Sequence, residues 1–165
     1  MYTKTVKFYG YDDKEHQQTL HFALDFSDIL DINAMYHGGL VNMIDDMVKN
    51  HDFNLMYAFI DTLIIKSYGK PNKDKTEFDK SLAIKTKFLN SAAYQTFLRT
   101  LLNDGNEFNK FFEGIFPKDI REEIKQINDE RTTKNPFEFN IDFTKKTIFD
   151  DLSNLGFKLK GEEDA

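Results

Sequence analysis

Cysteine is absent from this 165-residue chain, and so is tryptophan. Without cysteine there can be no disulfide, no thiolate nucleophile and no Cys-ligated zinc site. A basic excess is missing too. The 22 Lys and Arg residues stand against 28 Asp and Glu, for a net charge of −6, which argues against general nucleic-acid binding. The acids are diluted by interspersed bases, so the surface is also not acidic enough to imitate DNA. No apolar run approaches the ~18–20 residues that a membrane-spanning helix needs. The opening residues, Met1-Tyr2-Thr3-Lys4-Thr5-Val6, hold no apolar signal region. Together these absences lead us to expect a cytoplasmic protein with neither a membrane nor a nucleic acid as partner. Internal repeats and low-complexity segments are missing as well.

What is abundant is phenylalanine, with 17 residues, so the core is expected to be phenylalanine-rich. A chain of this length is one domain by the usual size relation, with room for an appended arm. A domain near this size buries about two-thirds of its unfolded surface, so no covalent staple is needed.

The fold class expected from patterning is α+β and mostly α, with an N-terminal β-hairpin packed on about six to eight short helices and a C-terminal strand/helix arm. Residues 2–26 read as the hairpin. Val6 and Phe8 alternate with polar neighbours in the first strand, and Leu20, Phe22, Leu24 and Phe26 do so in the second, across a polar turn from Gly10 to Glu15. Ser27 is the expected N-cap of a first helix bearing Ile29, Ile32 and Tyr36. Gly38-Gly39 then forms a hinge into a second helix, in which Leu40, Met43, Ile44, Met47 and Val48 recur at amphipathic spacing. The third helix, from about Asp52 to Tyr68, is apolar nearly all round and should be central. Gly69 is expected in the left-handed position past its end, with Tyr68 at the cap and Pro71 blocking continuation.

A lysine-rich loop covers 70–80. Short helices follow: one from Ser81 with Leu82, Ile84 and Phe88, and one capped by Ser91 with Tyr94, Phe97, Leu98, Leu101 and Leu102. After a turn at Asp104-Gly105-Asn106 come a helix with Phe108, Phe111, Phe112 and Ile115, and another with Ile120, Ile124 and Ile127. The expected organisation is a core domain over 1–127, a polar linker over 128–136, an arm over 137–160 and a disordered acidic tail over 161–165. In the arm, Phe137, Phe139, Ile141 and Phe143 alternate like a strand, and Ile148, Phe149 and Leu152 follow at helical spacing. These seven are the candidate partner-binding residues, because such an arm can add a strand to a partner's sheet or to its own. Gly38, Gly39, Tyr68 and Gly69 are the candidate structural hinge and cap.

Catalytic signatures are scarce. His16, His21, His37 and His51 form no i, i+4 pair beside a glutamate, so they read as packed or surface histidines and not as metal ligands. The acid pairs Asp12-Asp13, Asp45-Asp46 and Asp150-Asp151 are adjacent in sequence; neighbours on a helix point about 100° apart, so none makes a single carboxylate site. Gly38-Gly39 and Gly69-Lys70-Pro71 lack the spacing and strand context of phosphate-binding loops. Seven lysines between Lys66 and Lys87 are not interleaved with arginine or many aromatics, and they read as a solvated loop. No catalytic residue, cofactor or metal is expected.

Leu24-Asp25-Phe26-Ser27, Gly38-Gly39-Leu40, Leu63-Ile64-Ile65-Lys66-Ser67-Tyr68-Gly69-Lys70, Ala93-Tyr94-Gln95 and Gly114-Ile115-Phe116-Pro117 occur in an order that resembles the tail assembly chaperones of long-tailed bacteriophages of low-GC Gram-positive hosts. The resemblance spans roughly residues 3–120. It implies a non-enzymatic assembly factor in the host cell cytoplasm that binds the tape measure protein, keeps it soluble, promotes tail tube assembly and leaves before the virion matures. It further implies self-association and contact with the major tail protein. A groove between the second, third and fifth helices is one place for a client helix. Two alternatives stay open on the residues alone: a structural tail or virion component, and a small phage effector that binds a host defence protein.

Overall fold

The computed structural model describes residues 1–129. Alternating β-branched and aromatic residues form β1 (Tyr2–Tyr9) and β2 (Glu15–Phe22), paired antiparallel from Tyr2 opposite Phe22 to Tyr9 opposite Glu15. The turn between them closes on Gly10 N–H to Lys14 O at 2.9 Å, with Asp13 at φ 57°. Then come α1 (Phe26–Ala34), α2 (Gly39–Asn50), α3 (Phe53–Ser67), β3 (Tyr68–Pro71), β4 (Phe78–Asp79), α4 (Leu82–Leu89), α5 (Ala92–Asn103), α6 (Gly105–Ile115) and α7 (Lys118–Asp129). The fold is α+β and mostly helical, as the patterning predicts.

The sheet is larger than the expected hairpin. Its order is β1-β2-β3-β4, antiparallel throughout, with Phe22 opposite Tyr68 and Pro71 opposite Phe78. The expected lysine-rich loop is therefore a second, short hairpin. Its turn is held by Asn72 Oδ1, which accepts from the N–H groups of Thr76 and Glu77 at 3.0 and 3.2 Å. β2 ends at Phe22 and not near Phe26, because Ala23 N–H turns to Ser67 O and Leu24 N–H to Ile115 O, at 2.8 and 2.7 Å. Phe26 instead starts α1.

The core lies between the sheet and α3, α5 and α6. Phe22 is fully buried at its centre, stacked on Phe97 with centroids 4.7 Å apart and edge-on to Tyr68 and Phe111. Burying a side chain of this size contributes roughly 1.5–3 kcal/mol. α3 runs through the interior, as its all-round apolarity predicts, and buries Met56, Phe59, Ile60, Leu63 and Ile64. Ser67 is fully buried on the same helix and its hydroxyl donates to Leu63 O at 2.6 Å, so it carries no unmet polar group into the core.

The helix ends show which side chains win the capping positions. Asp52 Oδ1 accepts from Leu55 N–H at 3.0 Å, and Ser91 Oγ from Tyr94 N–H at 3.2 Å. At α1 the N-cap is Asp25 and not Ser27, and the Asp28 carboxylate accepts from the Asp25 N–H at 2.9 Å. Asp104-Gly105-Asn106 is not a separate turn. Asp104 ends α5, and its carboxylate accepts from the Asn106 and Glu107 N–H groups to start α6 at once. Leu82, expected on the packed side of α4, is exposed.

Candidate functional site

Gly38 and Gly39 form the corner between α1 and α2, at φ +83° and +80°. Consecutive left-handed residues favour glycine, since a Cβ is strained there. Space forbids one as well. A Cβ on Gly38 would lie 1.9 Å from Asn42 Nδ2, and one on Gly39 2.7 Å from Asn33 Oδ1. The corner is pinned by Leu40 N–H donating to Asn33 Oδ1, by Gly39 N–H donating to Tyr36 O, both at 2.9 Å, and by the Tyr36 hydroxyl donating to Asp46 at 2.7 Å.

Gly69 is not a left-handed cap. It belongs to β3, opposite His21, and is absent from the positive-φ glycines. Its missing side chain admits the neighbouring strand, since a Cβ would sit 2.5 Å from the Phe78 ring and 2.6 Å from Asp79 O. Tyr68 ends α3 in an extended conformation, buried and stacked on Phe88 with centroids 3.7 Å apart. Burial pushes its phenol up from the ordinary value. The arm residues Phe137, Phe139, Ile141, Phe143, Ile148, Phe149 and Leu152 lie outside the described residues.

α1 and the corner after it also carry exposed apolar side chains that sequence reasoning missed. Phe26, Leu30, Met35 and Val41 are 64%, 54%, 61% and 72% exposed. Phe26 and Leu30 stand i, i+4 on one face of α1, while Ile32 on another face is buried in the core. The signal was present, since α1 is apolar at 26 and 30 as well as at 29 and 32, more than one core-facing stripe needs. The alternation from Leu20 makes Phe26 look like a strand residue, whereas it starts α1.

Ion pairs hold α1 in place beneath this face. Lys80 Nζ lies 2.6 Å from Asp28 and 2.9 Å from Asp25, and Lys66 Nζ lies 3.0 Å from Asp31. Burial by itself pushes the Asp28 carboxyl up. The Lys80 ammonium, the Asp25 N–H and the Lys66 charge outweigh it, so Asp28 sits below the usual carboxylate value. Lys85 nearby is pushed down by burial and by the Lys80 charge. Lys66 and Lys80 of the expected solvated loop are thus structural cations. Between Asp25 and Asp52 the chain holds six aspartates and one lysine, so the exposed apolar side chains stand among acids.

The acids elsewhere are engaged one at a time. Of the adjacent pair Asp45-Asp46, Asp46 accepts from Tyr36 and Asp45 lies 3.9 Å from Lys49. The Tyr2 phenol donates to Glu107, which also pairs with Lys4 at 3.0 Å, and the Tyr94 phenol donates to Asp61. Burial and then these carboxylates push both phenols well up and keep them protonated, so they act as ties between elements. His16 meets Asp12 at 2.9 Å on the exposed hairpin tip. Among the described residues, no group of three or more His, Asp or Glu is placed to hold a metal ion. A cleft of about 360 Å³ opens between the sheet and α4, lined by Tyr68, Lys70, Ile84, Lys87 and Phe88, and no carboxylate lines it. It is a different place from the expected groove between α2, α3 and α5.

Against known proteins, a family model described as phage tail assembly chaperone matches residues 1–154. No curated protein and no solved structure matches the chain.

Proposed function

From the premise that the chain belongs to the phage tail assembly chaperone family, we propose that it binds the tape measure protein through the exposed apolar face of the α1–α2 corner. Bound in this way, the long client stays soluble while the tail tube assembles around it, and the chaperone departs before the virion matures. The observation that carries the reading is the placement of Phe26 and Leu30. Both are large, both are more than half exposed, and both sit on a helix fastened to the core by ion pairs on its other sides. An exposed apolar patch on a fixed helix suits an amphipathic client helix, which lays its own apolar face across it.

The flanking charge narrows the client further. Asp45, one helical turn past the exposed Val41 on α2, favours a helix whose apolar stripe is bordered by Lys or Arg, because opposite charges speed encounter and set register. The net charge of −6 keeps a protein with exposed phenylalanine from self-precipitating. The family is a non-enzymatic kind of protein. No described helix is long and apolar enough to cross a membrane, which fits action in the host cytoplasm.

Co-expression with the tape measure protein tests this reading. The unaltered chain is expected to keep the client in the soluble fraction. A Phe26→Asp/Leu30→Asp variant is expected to fold with an unchanged melting temperature and to leave the client in the pellet. Equal solubility with both chains would refute the assigned face. Mass spectrometry of purified virions checks departure: stoichiometric presence of the protein would make it a tail component instead.

A further inference from the structure

The cleft between the sheet and α4 carries charge of one sign. Ile84, Lys87 and Phe88 stand i, i+3, i+4 on one face of α4, and Tyr68 and Lys70 share one face of β3. The Tyr68 and Phe88 rings, stacked 3.7 Å apart, and the Ile84 side chain make its apolar wall. Lys70 and Lys87 are exposed, and neither has an ion-pair partner among the described residues. No carboxylate lines the cleft. Asp79 stands opposite Lys70 in β4, but its carboxylate accepts from the Ser81 N–H at 2.8 Å. Lys66 and Lys80, from the same lysine-rich stretch, are both held by aspartates. The two lysines at the cleft are the ones left for an outside anion, on a chain whose net charge is −6.

The Tyr68 hydroxyl points the same way. Tyr68 is 4% exposed, yet its hydroxyl has no hydrogen-bond partner among the described residues. The hydroxyl is not sealed off from the surface, so the small area that Tyr68 keeps open at the cleft includes it. Polar groups this deep normally have a partner. Burial pushes the phenol up, so it remains a protonated donor. Ser91 lines the same cleft but spends its hydroxyl internally, donating to Phe88 O at 2.6 Å and accepting from Tyr94 N–H at 3.2 Å.

We propose that this cleft binds an acidic segment of a partner protein. One apolar side chain of the segment lies against Ile84 and the Tyr68–Phe88 stack, a neighbouring carboxylate accepts from the Tyr68 hydroxyl, and Lys70 and Lys87 flank it. The volume of about 360 Å³ is near the lower bound for ligand sites, ~300–1,000 Å³, so it takes a side chain and not a whole helix. An apolar floor with charges at its exposed margin is the anatomy of a protein interface. No residue of α1 or α2 lines the cleft, so the proposal is independent of the client face.

Titration of the ¹⁵N-labelled full-length chain with acetyl-Asp-Phe-Asp-amide tests it. Amide shifts are expected at Tyr68, Lys70, Lys87 and Phe88. Binding should weaken about 10-fold or more for acetyl-Asn-Phe-Asn-amide, and equally for the Lys70→Gln/Lys87→Gln variant. Both lysines are exposed, so that variant should keep its melting temperature. Tyr68→Phe keeps the stack and removes only the hydroxyl; it should melt no lower than the unaltered chain and bind about 5-fold more weakly. Shifts confined to other elements, equal affinity for the neutral peptide, or undiminished binding by either variant would overturn the proposal. Phenylacetate binding as tightly as the peptide would make the cleft a small-anion site and overturn its assignment to a protein segment.

Discussion

Replacing Lys80 with methionine isolates the clamp on α1. Methionine keeps most of the apolar stem and removes the ammonium. Lys80 is 14% exposed and sits 2.6 Å from Asp28, which is itself 17% exposed. With the ammonium gone, Asp28 retains the Asp25 N–H at 2.9 Å and only the more distant charge of Lys66, which is paired with Asp31. Exposed ion pairs contribute up to ~1 kcal/mol, whereas stripping one partner from a fully buried pair costs ~3–5 kcal/mol. This pair falls between those limits and Asp25 is open to solvent, so a loss of about 2 kcal/mol is expected. For a chain of this length that lowers the melting temperature by roughly 4–8 °C. Asp28→Asn alone should cost a similar amount, and the double variant little more than either, with a coupling of about 1 kcal/mol or more. The pH dependence follows from the depressed Asp28 carboxyl. A carboxyl depressed on folding stabilises fully above its unfolded value, ~3.9, and the contribution fades as pH falls through the lower folded value. The gap between the unaltered chain and Lys80→Met is therefore widest near neutrality and narrows in acid below about pH 4. Thermal unfolding across pH reads all of this. Additive single losses, or a gap that stays constant into acid, would refute the reasoning.

Two further perturbations bear on the packing and on the corner. Phe22→Ala should cost ~3–5 kcal/mol, because Tyr68, Phe97 and Phe111 all lean on that ring and cannot collapse together; chemical denaturation showing a loss below ~1.5 kcal/mol would mean that the cluster repacks. Gly38→Ala should cost ~1–2 kcal/mol, and adding Asn42→Ala should recover only part of it, since the side-chain contact is relieved but the left-handed strain remains; full recovery in a melting assay would place the whole cost in the contact.

The elements that could be read from the chain are those whose apolar spacing is local. α2, α3, α5 and α6 each bury a 3.6-period stripe, and Asp52 and Ser91 cap where short polar residues precede such stripes. β3 was not legible. Tyr68-Gly69-Lys70-Pro71 has too few residues to alternate, and it is a strand only because Phe22, 46 positions earlier, offers an edge. Gly69 illustrates the same limit. A glycine two residues before a proline reads locally as a cap, whereas here it lets Phe78 and Asp79 approach. Asp25 outcompetes Ser27 because the Asp28 carboxylate and the Lys80 ammonium both converge on that helix start, and Lys80 is 52 residues away from Asp28. The exposed face of α1 depends on distant neighbours for a related reason. The excess of apolar positions on α1 shows that some must face outward, but only packing decides that Ile32 is buried and that Phe26 and Leu30 stay exposed.

By itself the sequence determined the periodic elements, the phenylalanine core and the exclusion of every cysteine-based chemistry, because backbone preference and apolar spacing act over a few residues. The tertiary structure decided which apolar side chains stay exposed, which lysines become structural, and what each glycine does. Those outcomes depend on neighbours brought together from distant parts of the chain. In the helix pair around Gly38-Gly39, local pattern sets two helices and a tight corner, and long-range packing chooses which apolar side chains stay exposed.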